Sequence, residues 1–297
     1  MSGREPNEPP QLTRDETGAP PAQKGHAPDS GLVQQVRQVI RPLTDWWRDR
    51  TMASAAARYP KAAWEQAWAG LPLLAGLDRD QAAELRALAA RFLHRKAIEE
   101  VRGVRLEAAQ RLTIALQACL PILRLGLDWY SDWYAVIVYP DQFVPQQEWV
   151  DEDGVVWVAN EVKSGEAWEQ GPIILSWADV QEGRERDGYN VVIHELAHKL
   201  DMRNGNANGH PPLHPGMSNA AWARDLSAAY RDLCRRVHGG EETPIDPYAA
   251  ESPAEFFAVC TEAFFELPHL LRDEYPLVYK QLAAFFRQDP SARLAPL

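Results

Sequence analysis

Residues 194–198 read His194-Glu195-Leu196-Ala197-His198 and form the most informative motif of the chain. Residues four apart lie on the same face of a helix, so the two histidines can direct their imidazoles at one ion. Glu195 lies beside the first histidine, where its carboxylate can reach a water on that ion without binding the ion itself. Apolar residues on both sides of the motif bury the other faces of the helix: Val191, Val192, Ile193, Leu196, Ala197 and Leu200.

This pattern is typical of a catalytic zinc site. Imidazole is a favoured zinc ligand, and catalytic zinc sites use three protein ligands and a water. The ion lowers the pKa of that water towards about 7, and a neighbouring carboxylate passes its proton to the leaving amine. The motif therefore predicts a zinc-dependent peptidase with one ion per chain, His194 and His198 as ligands, and Glu195 as general base. The alternative is a chance match on an amphipathic helix, which the apolar flanks oppose.

The motif itself does not name a third ligand. The short metzincin pattern needs glycine three residues and histidine or aspartate six residues after His198. Those positions hold Asp201 and Asn204, so that pattern fails. His210 and His214 are candidates from a proline-rich loop, although histidines in loops are more often exposed to solvent.

A carboxylate on a later helix, predicted over residues 252–265, is the stronger candidate. Glu251, Glu255 and Glu262 follow one another at spacings of four and seven residues and therefore fall on roughly one helix face. Glu255 has a competing role, because Ser252-Pro253-Ala254-Glu255 is a capping box with proline at the first helical position. The spacing does not decide between ligand and cap. Glu262 lies among large apolar residues and needs a buried partner, for which a histidine ring nitrogen is suitable.

Composition divides the chain into three predicted parts. Residues 1–30 hold six prolines and almost no large apolar side chains, which predicts a disordered tail. In residues 31–75, apolar side chains at helical spacing and Trp46-Trp47 predict a helical extension. Residues 76–297 carry the motif and are predicted to form the zinc metallopeptidase domain.

Within that domain the patterns come in blocks of helices, then strands, then helices. Helices are predicted from Asp78 onward and over 105–125, 189–202, 219–237, 252–265 and 268–286. Strands are predicted over 133–139, 155–160 and 173–177. This order predicts an α+β fold of zincin type, mainly helical, with a small mixed β-sheet.

Charge and composition argue against several functions. The net charge of −11 and pI near 5.3 oppose nucleic-acid binding, which needs a basic surface. No run approaches the roughly 18 to 20 apolar residues of a membrane span. The first residues also lack the apolar core of a secretory signal, so we expect a cytoplasmic protein. The widely spaced Cys119, Cys234 and Cys260 are expected to be buried, reduced thiols.

Several motifs in the same order carry a family resemblance. His194-Glu195-Leu196-Ala197-His198-Lys199-Leu200-Asp201 is followed by Asn-Gly, and then by Tyr248-Ala-Ala-Glu-Ser-Pro-Ala-Glu255-Phe-Phe-Ala. This arrangement resembles the Mlc titration factor A family, bacterial cytosolic zinc peptidases of the gluzincin type. The similarity covers roughly residues 70 to 285, including 117–120, 127–130, 136–140, 165–168 and 171–177.

The resemblance implies a site and two functions. It implies zinc ligands His194, His198 and Glu255, with Glu195 as general base. It also implies Tyr248 as a donor to the transition-state oxyanion, although on spacing alone Tyr248 would be a packing residue of a turn. The implied activity is cleavage of a peptide substrate, chiefly of aminopeptidase type. Some members bind a transcriptional repressor of sugar uptake, so the alternative is a regulatory protein that sequesters a repressor and whose zinc site has minor catalytic importance.

Overall fold

The computed structural model describes residues 58–141, 146–150, 156–160, 165–167 and 171–297. The predicted tail and most of the predicted helical extension lie outside these residues, so the three-part division of the chain stays a prediction. Within the described part, no helix is both long enough and apolar enough to cross a membrane.

Three helices precede and flank the first strand: α1 (Lys61–Ala69), α2 (Arg79–Arg95) and α3 (Ala108–Cys119). Helix α2 begins with a capping box, in which Asp78 and Gln81 each accept the other's backbone N–H, at 2.8 and 3.0 Å. Helix α3 is shorter than the predicted helix over 105–125. Pro121 has no N–H to continue the helical ladder, so the chain goes on in successive turns.

The described residues contain six strands: β1 (Ala97–Glu100), β2 (Ala135–Tyr139), β3 (Gln146–Val150), β4 (Val156–Asn160), β5 (Gly165–Ala167) and β6 (Ile173–Ser176). Four of them form one sheet in the order β1-β2-β6-β5, with β5 antiparallel to β6 and the other pairs parallel. Strands β3 and β4 form a separate antiparallel pair.

Three of these strands were not predicted: β1, β3 and β5. Strand β1 contains two glutamates in four residues, and β3 reads Gln-Gln-Glu-Trp-Val, so neither has the apolar pattern expected of a strand. Strand β5 is only three residues long, too short to show an alternating pattern. Strand β1 forms because β2 offers it a parallel hydrogen-bonding partner, a tertiary effect that overrides local propensity.

Six helices complete the fold: α4 (Trp177–Glu182), α5 (Val191–Asp201), α6 (Asn219–His238), α7 (Pro253–Glu266), α8 (Pro268–Glu274) and α9 (Pro276–Phe286). The single helix predicted over 268–286 is wrong, since it divides at Tyr275. Pro276 cannot donate a backbone hydrogen bond, and it holds Tyr275 at φ −129° and ψ 72°, outside the helical region.

Helices α5 and α7 lie at the centre of the hydrophobic core. Ile193 and Leu200 of α5 are fully buried, as are Phe257, Phe264 and Phe265 of α7. The mainly helical α+β fold with a small mixed sheet is thereby confirmed. The helix that carries the histidines and the helix that carries Glu255 pack directly on each other, so the site is built on rigid elements.

The three cysteines were expected to be buried, reduced thiols. Cys119 and Cys260 are buried and Cys234 is half-buried, and none of the three forms a disulfide among the described residues.

Candidate metal centre

Helix α5 is fixed at its start by Asn190, a fully buried residue. Its side-chain oxygen accepts the N–H of Ile193 at 3.0 Å and so caps the helix. Its side-chain amide donates towards Gln117 Oε1 at 2.7 Å, Glu266 Oε1 at 2.8 Å and the Gly183 carbonyl at 3.0 Å. Three separate parts of the chain thus hold the first turn of the helix that carries the motif.

Three potential ligand atoms converge one turn further along. Nε2 of His194 and Nε2 of His198 lie 3.2 Å apart. Oε2 of Glu255 lies 3.0 Å from the first and 3.3 Å from the second. Ligand atoms of a tetrahedral zinc site with bonds of about 2.0–2.1 Å lie about 3.3–3.4 Å apart. The nearly equilateral triangle therefore has the dimensions that one zinc ion requires.

Two carboxylate oxygens at this cluster lack ordinary hydrogen bonds. Oε2 of Glu255 and Oε2 of Glu195 are both buried, and neither makes a hydrogen bond of normal geometry with the described residues. Buried polar atoms are nearly always hydrogen-bonded, because leaving them unpaired costs free energy. A bound cation would satisfy the Glu255 oxygen, so the donor set fits a metal ion.

Carboxylates make the cluster favourable for positive charge. Burial opposes protonation of His194, but Glu262 and Glu255 together hold the pKa of this ring well above its ordinary value. Burial also acts to raise the pKa of Glu255, yet the two histidine rings more than offset it and keep that pKa far below the usual range. The carboxylates that favour a proton on His194 would equally favour a cation in its place, so the cluster suits a divalent ion.

Glu262 of α7 holds His194 from the opposite side. Its Oε1 accepts the Nδ1–H of His194 at 2.7 Å, and its Oε2 accepts the backbone N–H of Asn190. The expected histidine partner of the buried Glu262 is therefore confirmed. Because Nδ1 carries the proton in this bond, Nε2 is left to face the cluster, as in the carboxylate–histidine pairs of metal sites.

Glu195 and Tyr248 lie beside the three convergent atoms. Glu195 is only 4% exposed, and burial raises its pKa to about 7 against the opposing effect of the histidine rings. Tyr248 lies in the short 3-10 helix Pro247–Ala250, with its ring centroid 6.0 Å from that of His194. At 47% exposure, Tyr248 lies on the solvent side of the cluster.

The sequence offered Glu255, His210 and His214 as candidates for the third ligand. Ser252 Oγ accepts the N–H of Glu255 at 3.1 Å and caps α7, while the Glu255 carboxylate is turned towards the histidines. His210 and His214 are engaged elsewhere, with Asn219 Oδ1 at 3.0 Å and the Phe285 carbonyl at 2.8 Å. Glu255 therefore lies against the two motif histidines, and neither His210 nor His214 does.

Sequence reasoning missed the network behind the cluster. Asn190 donates hydrogen bonds to both Gln117 and Glu266 inside the core, although each of the three belongs to a different part of the chain. Gln117 and Glu266 stand out in the sequence only as polar residues within strongly apolar helices. A buried polar residue must have a partner, but the sequence does not say which one.

A helix with two histidines and a glutamate, completed by a carboxylate from a later helix, defines a metallopeptidase-like metal centre.

Comparison with known proteins agrees with that class. Residues 43–287 match the family described as Glucose-regulated metallo-peptidase M90, so the chain belongs to this family. Mlc titration factor A of Salmonella arizonae is 44% identical over 233 residues, which cover 78% of this chain and 92% of that protein. Mlc titration factor A of Salmonella typhimurium is 43% identical over 78% of this chain and 88% of its own length. The predicted family resemblance is thereby confirmed.

Two substitutions test whether Glu255 is a metal ligand or only part of the helix cap. If Oε2 of Glu255 is one of three ligand atoms, Glu255→Ala should lose bound zinc. Ser252→Ala removes the cap alone, so it should destabilise the fold by about 1 kcal/mol and keep one zinc per chain. Metal analysis after dialysis, together with urea unfolding, measures both effects. Full zinc occupancy in Glu255→Ala would show that Glu255 is not a ligand and serves only the helix cap.

Proposed function

We propose that the protein is a zinc-dependent peptidase that binds one zinc ion per chain through His194, His198 and Glu255. The observation that carries this proposal is the triangle of Nε2, Nε2 and Oε2 atoms with sides of 3.0–3.3 Å. Membership of a metallopeptidase family supports it. A cytoplasmic location and an aminopeptidase preference belong to the same proposal.

The chemistry divides between the ion and the protein. A zinc ion in this site would supply a Lewis acid that polarises a peptide carbonyl and acidifies water. The protein's own groups must then move a proton, stabilise the charge that develops on the carbonyl oxygen, and hold the peptide.

Glu195 is proposed as the general base. It accepts a proton from the attacking water and delivers it to the nitrogen of the leaving amine. A base is most efficient when its pKa lies near the working pH, and burial brings that of Glu195 to about 7. Its oxygen Oε2, buried and without a hydrogen bond from the described residues, is available to receive that proton.

Tyr248 is proposed to donate its hydroxyl proton in a hydrogen bond to the developing oxyanion. Its position on the solvent side of His194 is where a substrate carbonyl would approach the cluster. The turn that carries it is fixed, because Asp246 Oδ1 accepts the backbone N–H of Tyr248 at 2.9 Å. A donor held in place before the reaction stabilises the transition state without reorganisation.

The peptide substrate is proposed to lie along strand β5. Among the described residues this strand is at the end of the four-stranded sheet and pairs only with β6, which leaves its other side for an extended peptide. Backbone hydrogen bonding of this kind favours peptides over small esters and does not depend on particular side chains.

We expect Glu195→Gln to keep zinc and the fold but to lower kcat about 10²–10⁴-fold, because the amide cannot take up the proton. Turnover is measured on a set of short peptides with free N-termini and on the same peptides acetylated, with and without chelator. Unchanged turnover in Glu195→Gln would refute the base. Equal cleavage of the acetylated peptides would refute the aminopeptidase preference alone.

Tyr248→Phe should lower kcat about 10²-fold with little change in KM, because the lost hydrogen bond forms only in the transition state. Zinc content should be unaffected. Tyr59→Phe, far from the cluster in sequence and packed on Trp64, serves as the control and should behave as wild type. A rise in KM with unchanged kcat would instead assign Tyr248 to ground-state binding.

A second function is favoured by the name of the relatives, Mlc titration factor A, which suggests that they interact with the Mlc repressor. In this proposal the chain sequesters a transcriptional repressor, and its zinc site matters little for catalysis. The inactive Glu195→Gln variant and wild type should then bind purified Mlc with equal affinity by calorimetry. Absence of binding by both proteins would remove this function and leave the peptidase proposal intact.

A further inference from the structure

The relative position of α5 and α7 determines the shape of the cluster, because α5 carries both histidines and α7 carries Glu255. Besides their direct packing, the two helices are joined by the loop at residues 208–210. This loop contacts the end of α5, the start of α7 and the buried face of α6. Its contacts with α5 and α7 are made by its backbone, so they leave no pattern in the sequence.

Asp201, the last residue of α5, holds the loop by its carboxylate. Oδ2 accepts the N–H groups of Asn208 at 2.7 Å and Gly209 at 2.6 Å, and Oδ1 accepts that of His210 at 2.8 Å. Asp201 is fully buried. A buried carboxylate with three backbone donors fixes the loop to the helix more firmly than ordinary loop contacts do.

Gly209 transmits that position to α7. Its φ is +76°, and a Cβ at this residue would lie 2.4 Å from the carbonyl oxygen of Pro253. Pro253 is the first residue of α7 and precedes Glu255 by two positions. The Gly209 carbonyl accepts the indole N–H of the buried Trp222 at 2.9 Å, so the loop cannot move away from α7 on the other side.

We propose that Asp201, acting through Gly209, is a positioning residue that sets the distance between Glu255 and the two histidines. The inference rests on the proposed zinc site. Asp201 does not contact the ligand atoms. It holds the loop against the first turn of α7, and this turn sets where the Glu255 carboxylate lies.

A purely structural clamp would lower stability when broken and leave the geometry of a bound ion unchanged. A positioning residue also alters the metal site itself. Cobalt(II) distinguishes the two, because its visible absorption reports the number and arrangement of its ligands, and its binding can be titrated without any measurement of activity.

The main variant is Gly209→Ala, whose new methyl group must push against the Pro253 carbonyl. Gly103→Ala is the matched control, since Gly103 has a similar φ of +86° and nothing within 4 Å of an added Cβ. Both variants place alanine at a positive φ, but only Gly209→Ala brings the new methyl group against the first turn of α7. Asp201→Asn is the second variant, which keeps the side-chain shape but replaces one accepting oxygen with an amide nitrogen that can only donate.

We expect Gly209→Ala and Asp201→Asn to bind cobalt at least about tenfold more weakly than wild type, with an altered visible spectrum. Gly103→Ala should match wild type in both. Circular dichroism and thermal unfolding of the metal-free proteins identify any variant that fails to fold, and Asp201→Asn decides the question if Gly209→Ala does not fold. Wild-type affinity and spectrum in both variants would overturn the inference. Failure of wild type itself to bind metal would overturn the proposed zinc site instead.

Discussion

The site depends on the hydrogen bond that His194 donates from Nδ1 to Glu262. This bond assigns the proton to one ring nitrogen and leaves the other, Nε2, facing His198 and Glu255. Helix α7 supplies both carboxylates, since Glu255 and Glu262 lie seven residues, or about two turns, apart on one face. His194 is thus held between two carboxylates of a single helix.

Burying two carboxylates and an imidazole costs free energy, and the hydrogen bonds of the surrounding polar residues offset part of this cost. Glu262 also accepts the Asn190 N–H, and Asn190 donates in turn to Glu266 and Gln117. Burial raises the pKa of both Glu262 and Glu266. The polar groups behind the histidines are therefore mostly paired by the protein, whereas at the cluster the described residues leave one carboxylate oxygen each of Glu195 and Glu255 without a hydrogen bond. This contrast explains why the cluster suits an ion and a reaction.

The sequence predicted what depends on short-range periodicity. The motif helix, the shared face of Glu255 and Glu262 and the small sheet all follow from spacings of four, seven and two. Most of what it did not predict depends on tertiary partners: strand β1 pairs in spite of its glutamates, and spacing alone left Glu255 undecided between cap and ligand. The helix break at Tyr275 is different, because Pro276 is a local signal that the sequence already contains. The contacts of Asp201 use backbone N–H groups, which every sequence offers equally.

X-ray absorption at the zinc K-edge of the purified protein measures directly which atoms surround the ion. If His194, His198, Glu255 and a water hold it, the spectrum should show four nitrogen and oxygen neighbours at about 2.0–2.2 Å with multiple scattering from two imidazoles. A sulfur neighbour at about 2.3 Å would place the ion at a cysteine. That result, or scattering from a single imidazole, would contradict a site formed by His194, His198 and Glu255.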